Sequence, residues 1–135
     1  MKKGVITFIP RFLVSGFSAV GTDSLVYITM LSVVSPSIAK TASFLCGTII
    51  AYLLNKYWTF QIKSKSYKEI MKFVILYLST LSINVVLNNG LLLIFKEYYW
   101  LAFLGATGTS TVLNFIGQKW WVFKNDKTVY RNTLL

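Results

Sequence analysis

The chain has 135 residues, 55% of them hydrophobic and only 13% charged, and carries a net charge of +10. Soluble domains carry about 25% charged residues, so this composition leaves too little polar surface for a water-soluble fold. In a soluble protein such a positive balance would point to nucleic acid. Here the basic residues cluster between long uncharged runs, and membrane topology with attraction to anionic lipid explains them without a nucleic-acid partner.

Met1-Lys2-Lys3 ahead of an apolar run resembles the start of a secretory signal. That run, however, is longer than the roughly 7–15-residue core of a signal peptide, and it forms part of a duplicated pattern, so it is read as a membrane span. Pro10 is expected to separate a short surface stretch from this first span, residues 12–34. Within it Asp23 stands eleven residues beyond Phe12, about 16 Å along a helix and so near the bilayer midplane. An acid there costs about 2.5–3.5 kcal/mol on insertion scales and is by default a functional candidate. The structural alternative is a carboxyl that merely ties helices together, with Asn84 as its natural partner.

Pro36 marks the first turn. The second span, 38–54, carries Ala39, Ser43, Gly47, Ala51 and Asn55 at four-residue spacing. Such a stripe of small residues lets two helix backbones approach closely. The lone cysteine, Cys46, is a small packing residue. A lysine-rich loop then leads to the third span, 73–95, where Tyr77, Thr80, Asn84 and Asn88 share one helical face while Asn89 points elsewhere. Two amides on one face in hydrocarbon mean either interhelical hydrogen bonds or the lining of a polar path. The fourth span, 100–117, repeats the stripe with Ala102, Ala106, Ser110, Asn114 and Gln118. Tight packing of the second and fourth helices explains the small residues well and Asn114 less well. The second and fourth spans reach the roughly 20 residues needed to cross hydrocarbon once their ends, to Phe60 and Phe123, are counted. Helices are required because lipid cannot hydrogen-bond an exposed backbone.

The chain repeats itself. Arg11-Phe12 matches Lys72-Phe73, and Asn55-Lys56-Tyr57-Trp58-Thr59-Phe60 matches Gln118-Lys119-Trp120-Trp121-Val122-Phe123. One structural unit built twice is the ordinary meaning of such a repeat. The N-terminus, the central loop and the tail hold twelve of the basic residues, and the two hairpin loops hold only Lys40 and Lys96. By the positive-inside rule, both termini and the middle loop face the cytoplasm, with Trp58, Trp120 and Trp121 at the inner interface and Tyr98, Tyr99 and Trp100 at the outer one. The expected fold is an all-α membrane protein: four transmembrane helices built as two helical-hairpin repeats in parallel orientation, about 11–60 and 72–123, in one transmembrane domain covering 1–135. Parallel-repeat transporters are built in this way. Nothing outside the spans is long enough to bury a core.

Arg11, Lys56, Lys72 and Lys119 fall at equivalent cytoplasmic span ends. Snorkelling to the headgroups explains any one of them, but their duplication suggests a cationic inner rim able to hold a phosphate. There is no phosphate-cradling glycine loop, no pair of neighbouring carboxylates and no nucleophile–base arrangement, and no histidine at all. Covalent catalysis, a metal, a cofactor and direct coupling to ATP are therefore not expected.

With an Arg-Phe-Leu-Val-Ser-Gly start to the first span and Ala51–Asn55 leading into Trp58-Thr59-Phe60, echoed by Asn114-Phe115 and Trp121-Val122-Phe123, the chain resembles the GtrA-like family from about Arg11 to Phe123. The resemblance implies a bacterial plasma-membrane protein that moves a polyprenyl-phosphate-linked sugar, such as undecaprenyl phosphate-glucose, to the outer leaflet for glycosylation of envelope polymers. Similar modules also occur fused to polyprenol-phosphate mannosyltransferases. Its implied partners are the sugar lipid, membrane lipid and a glycosyltransferase of the same pathway, and four spans leave room for homo-oligomerisation. Each unpaired polar group of a sugar phosphate costs several kcal/mol in hydrocarbon. A path lined by Asp23, Asn55, Asn84, Asn88, Asn114 and Gln118 would replace the lost water bonds. The alternative is a non-transporting anchor for a glycosyltransferase. A small drug–proton exporter, also four-helical with an acid in its first span, fits poorly with a twelve-to-two charge bias.

Overall fold

The structure, a computed structural model, describes residues 2–124, apart from the side chains of residues 2–5, 36, 37 and 99. Asp126, Lys127 and Arg131 of the tail, and the side chains of Lys2, Lys3 and Tyr99, lie outside the described residues. The described residues form four α-helices and no strand: α1 (Lys2–Met30), α2 (Pro36–Leu54), α3 (Tyr67–Ile94) and α4 (Tyr99–Gly117). α2 and α4 each continue without a break into one π-helical turn, Asn55–Thr59 and Gln118–Val122. The chain divides between Ser64 and Lys65 into two compact units, each a helical hairpin with its π turn.

In the first hairpin α1 runs unbroken through Pro10, where a boundary was expected. Proline removes one backbone hydrogen bond, whereas ending a helix in apolar surroundings would strand several unpaired groups. One lost bond is the smaller cost. Residues 31–35 turn the chain back, with the Val33 and Val34 amides donating to the Met30 carbonyl at 3.0 Å. Ser35 is extended, and Pro36 opens α2, where its missing N–H would have been unpaired anyway. Lys40, assigned to this loop by charge counting, lies inside α2.

The stripe of α2 is its inner face: Ala39, Ser43, Ala51 and Asn55 are almost fully buried. Gly47 shows why the residues are small. A Cβ there would stand 2.9 Å from the Ala19 carbonyl oxygen and 3.1 Å from Asp23 Cβ, so α2 packs on the backbone of α1. The large apolar residues point the other way, as with Phe17, Leu25 and Ile28, which are about two-thirds exposed or more. A fold with small and polar residues inside and large apolar ones outside suits lipid rather than water.

Beyond α2, the Phe60 amide donates to the Asn55 carbonyl at 2.8 Å, the i to i+5 bond of a π turn. Gln61 then takes a left-handed conformation, φ 55°, and reverses the chain so that the Ile62 amide reaches the Lys56 carbonyl at 2.8 Å. Phe60 and Ile62 are buried, which fixes the end of the hairpin.

The second hairpin has the same parts. Ser66 is extended before α3, Glu69 lies in its first turn, and the Tyr98 amide donates to the Phe95 carbonyl at 3.1 Å in the turn. Ala102 and Ala106 of α4 are buried. The Phe123 amide donates to the Gln118 carbonyl at 3.0 Å, closing the second π turn.

Three helical segments are long and apolar enough to cross a membrane: Ile6–Met30, Ile38–Thr59 and Tyr67–Ile94. α4, expected as a fourth, is not among them. Thr107, Thr109, Ser110, Thr111 and Asn114 crowd its second half and dilute its apolar content.

Gly47→Ala should destabilise the first hairpin by about 1–3 kcal/mol, the usual cost of overpacking, because the obstructing atoms belong to backbone. Gly16 has nothing within 4 Å of an added Cβ, so Gly16→Ala should be neutral or stabilising. Unfolding of the two variants in detergent micelles compares them, and equal stabilities would refute the close approach.

Candidate functional site

The open ends of the hairpins, away from their turns, carry the conserved geometry of the repeat. Arg11 Nη1 donates to the Trp58 carbonyl at 3.4 Å, and its guanidinium lies 6.0 Å from the centre of the Trp58 ring. In the second hairpin Lys72 Nζ donates to the Trp121 carbonyl at 3.5 Å and lies 5.9 Å from the Trp121 ring. A basic residue of the first helix thus clasps a π turn through a carbonyl and an indole, twice over. Both bonds are long and solvent-exposed, so either cation can release its carbonyl for an anion at modest cost. Phe12 and Phe73, next in the chain, are buried in the same position of each hairpin.

The other two rim candidates sit differently. Lys56 is 2% exposed, and its ammonium is 3.3 Å from Tyr52 Oη and 5.6 Å from the rings of both Tyr52 and Tyr57. It lies inside the π turn rather than at a headgroup-facing rim. Lys119 is half-buried with its ammonium 4.8 Å from the Trp120 ring.

Along the first hairpin runs a chain of polar groups. Ser15 Oγ donates to the Arg11 carbonyl at 2.9 Å, lies 3.0 Å from Thr59 Oγ1, and Thr59 Oγ1 donates to Asn55 Oδ1 at 3.4 Å. Ser15 and Thr59 were not candidates from sequence; Thr59 sits one helical turn after Asn55, and that spacing is the signal that could have found it. In the second hairpin Thr80 Oγ1 donates to Asn114 Oδ1 at 2.9 Å, and Asn84 Nδ2 donates to Ser110 Oγ at 2.9 Å. Of the two readings open for the α3 face, interhelical hydrogen bonding therefore describes Thr80 and Asn84. Asn88 is half-buried and makes no side-chain hydrogen bond among the described residues. Both amide atoms of Gln118, which is wholly buried, also lack a partner.

Asp23 has a partner within its own hairpin that the sequence reading did not name. Its Oδ2 is 2.7 Å from Lys40 Nζ, an ion pair between α1 and α2 with the lysine also 5.7 Å from the Tyr27 ring. Counting positive charge in loops hid this pair, because Lys40 was placed outside the helix. Asp23 lies twelve residues, about 18 Å of helix, beyond the Arg11 clasp. Among the described residues no cluster of three potential metal-ligating side chains occurs.

The pair makes the two charges unequal when separated. Lys40, near the start of α2, can extend its long side chain to the water–lipid boundary, while the short Asp23 cannot. Lys40→Met should therefore destabilise more than Asp23→Leu, by up to about 3 kcal/mol, the order of cost of one uncompensated charge in a span. The double variant should regain most of the loss. Chemical unfolding in bicelles decides the order, and the reverse order would show that Asp23 is not held by Lys40.

The comparisons agree with this architecture. The family model described as GtrA/DPMS, transmembrane domain, matches residues 11–123. The chain is 26% identical over 93 residues to the uncharacterized membrane protein YwcD of Bacillus subtilis (strain 168), covering 66% of this chain and 73% of that one. No solved structure matches. With a membrane-compatible helical fold and a match running from Arg11 to Phe123, the chain is a membrane protein of the GtrA/DPMS transmembrane-domain family.

Proposed function

We propose that this protein moves a polyprenyl-phosphate-linked monosaccharide, such as undecaprenyl phosphate-glucose, from the cytoplasmic to the outer leaflet of a bacterial plasma membrane. It crosses the membrane four times, with both termini and the central loop cytoplasmic, as the twelve-to-two distribution of basic residues supports. The observation that carries the reading is the doubled clasp: a cation resting on a tryptophan carbonyl at the open end of each hairpin. Tryptophan and basic side chains mark the headgroup level of a bilayer, and a cation there takes a phosphate by charge-assisted hydrogen bonds. The weakly held Arg11 and Lys72 exchange a neutral carbonyl for the anionic phosphate. The polar seam inside each hairpin offers hydroxyls and amides to a sugar crossing hydrocarbon, while the prenyl tail stays in lipid.

Without a nucleotide-binding motif, transport is drawn by consumption of the sugar on the far side, with proton coupling through Asp23 as the other driving force the sequence leaves open. The DPMS part of the family description favours a second reading, a membrane anchor that docks a polyprenyl-phosphate glycosyltransferase and moves nothing.

Proteoliposomes with a radiolabelled polyprenyl-phosphate sugar separate the two. The wild type should move the lipid faster than protein-free vesicles, and Arg11→Gln or Lys72→Gln should each lower the initial rate about tenfold or more, the loss of one charge-assisted bond. The variants should also depend less on ionic strength, having less charge to screen. No flux above background, with stimulation of a co-reconstituted glycosyltransferase, would establish the anchor instead. Orientation is checked separately in a Cys46→Ala background: a cysteine at Ser32 should label from outside intact cells and one at Ser66 should not.

A further inference from the structure

Asn55 and Gln118 hold the same place, the first residue of a π turn, and both side chains are buried. Their surroundings differ. Asn55 Oδ1 accepts from Thr59 Oγ1, which in turn lies 3.0 Å from Ser15 Oγ. The second hairpin lacks these hydroxyls. Ser15 stands four residues after Arg11, and the residue four after Lys72 is Leu76; Thr59 follows Trp58, and the residue following Trp121 is Val122. Leu76 packs over Gly117, where a Cβ would collide with it, and Val122 is buried. Gln118 Nε2 and Oε1 are both buried without a hydrogen-bond partner among the described residues.

An unpaired buried amide is a cost that leucine or methionine at the same position would avoid. A purely structural role does not account for it. The amide offers donors on Nε2 and an acceptor on Oε1, both borne by one carbon, which matches two neighbouring hydroxyls, one accepting from Nε2 and one donating to Oε1. A phosphate could use only the donor. No hydrogen bond holds the side chain in place, so turning it about its torsions to meet a ligand breaks none. Gln118 also shares its π turn with Trp121, the residue clasped by Lys72.

We propose that Gln118 recognises hydroxyls of the sugar headgroup, and that the second hairpin alone reads the sugar while the corresponding amide of the first is committed to its own fold. This rests on the sugar-lipid reading above. It makes the hairpins unequal: both clasps suit a phosphate, but one end carries the sugar contact.

The test uses the full chain in nanodiscs with two probes, undecaprenyl phosphate and its glucosylated form. The wild type should bind the glucosylated lipid more tightly. Gln118→Leu should weaken that binding about tenfold, the loss of one to two neutral hydrogen bonds, change affinity for the sugar-free lipid less than twofold, and raise the melting temperature. The paired substitution Leu76→Ser with Val122→Thr installs the hydroxyls of the first hairpin beside Gln118, and should likewise raise the melting temperature and erase the preference for the sugar. A Gln118→Leu protein with an unchanged preference, or one weakened equally toward both lipids with a lower melting temperature, overturns the assignment and leaves the transport reading standing. A wild type that binds neither lipid removes the transport reading itself.

Discussion

Hydrocarbon is as welcoming to leucine as another leucine is, and that constraint governs how each hairpin holds together. Burying large apolar side chains gains little in a bilayer, so cohesion must come from close backbone approach and from polar pairs that have no water to turn to. The first hairpin shows both. Gly47 brings α2 against the Ala19 carbonyl, and Ser15, Thr59 and Asn55 form a polar chain beyond it. Leu25, Ile28 and Phe17 are left outside. In the second hairpin Thr80 with Asn114 and Asn84 with Ser110 do the corresponding work.

The π turns follow from the same economy. An α-helix ending near the headgroups leaves four carbonyls unpaired. Widening the last turn keeps the backbone bonded through Phe60 and Phe123, and π segments of this kind are frequent at functional positions. What the turn leaves available is the tryptophan carbonyl, which Arg11 or Lys72 covers. A contact that completes the fold and a cation that can be withdrawn from it are thus one and the same side chain.

Much of this could be read from the residues. The four-residue stripe marks the buried face of α2, although the helix packed against it is α1 and not the α4 expected as its partner, and the doubled amide–lysine–aromatic–tryptophan segment marks the two stretches that form π turns, without showing that they would be π-helical. The Arg11–Trp58 and Lys72–Trp121 correspondence was visible as a repeat, though the bond itself was not, because alignment of two halves says which residues are equivalent and not which ones touch. Pro10 misled because its local cost is easily read and the larger cost of interrupting a helix in lipid is not. Lys40 misled because charge counting treats a lysine near a turn as a loop residue. The isolation of Gln118 could not be foreseen at all: it depends on what three-dimensional packing puts beside the amide, and Leu76 is more than forty positions away in sequence.

The Asp23–Lys40 ion pair bears on how the protein is made. When α1 leaves the ribosome it carries a bare carboxylate, and the lysine that neutralises it follows 17 residues later. A translocon that released each helix singly would commit one uncompensated charge to lipid, then its opposite. Holding the first helix until the second arrives lets both enter as a neutral pair. The second hairpin joins its helices at mid-span through Thr80 with Asn114 and Asn84 with Ser110, so the order of synthesis sets the hairpin with the Asp23–Lys40 pair first.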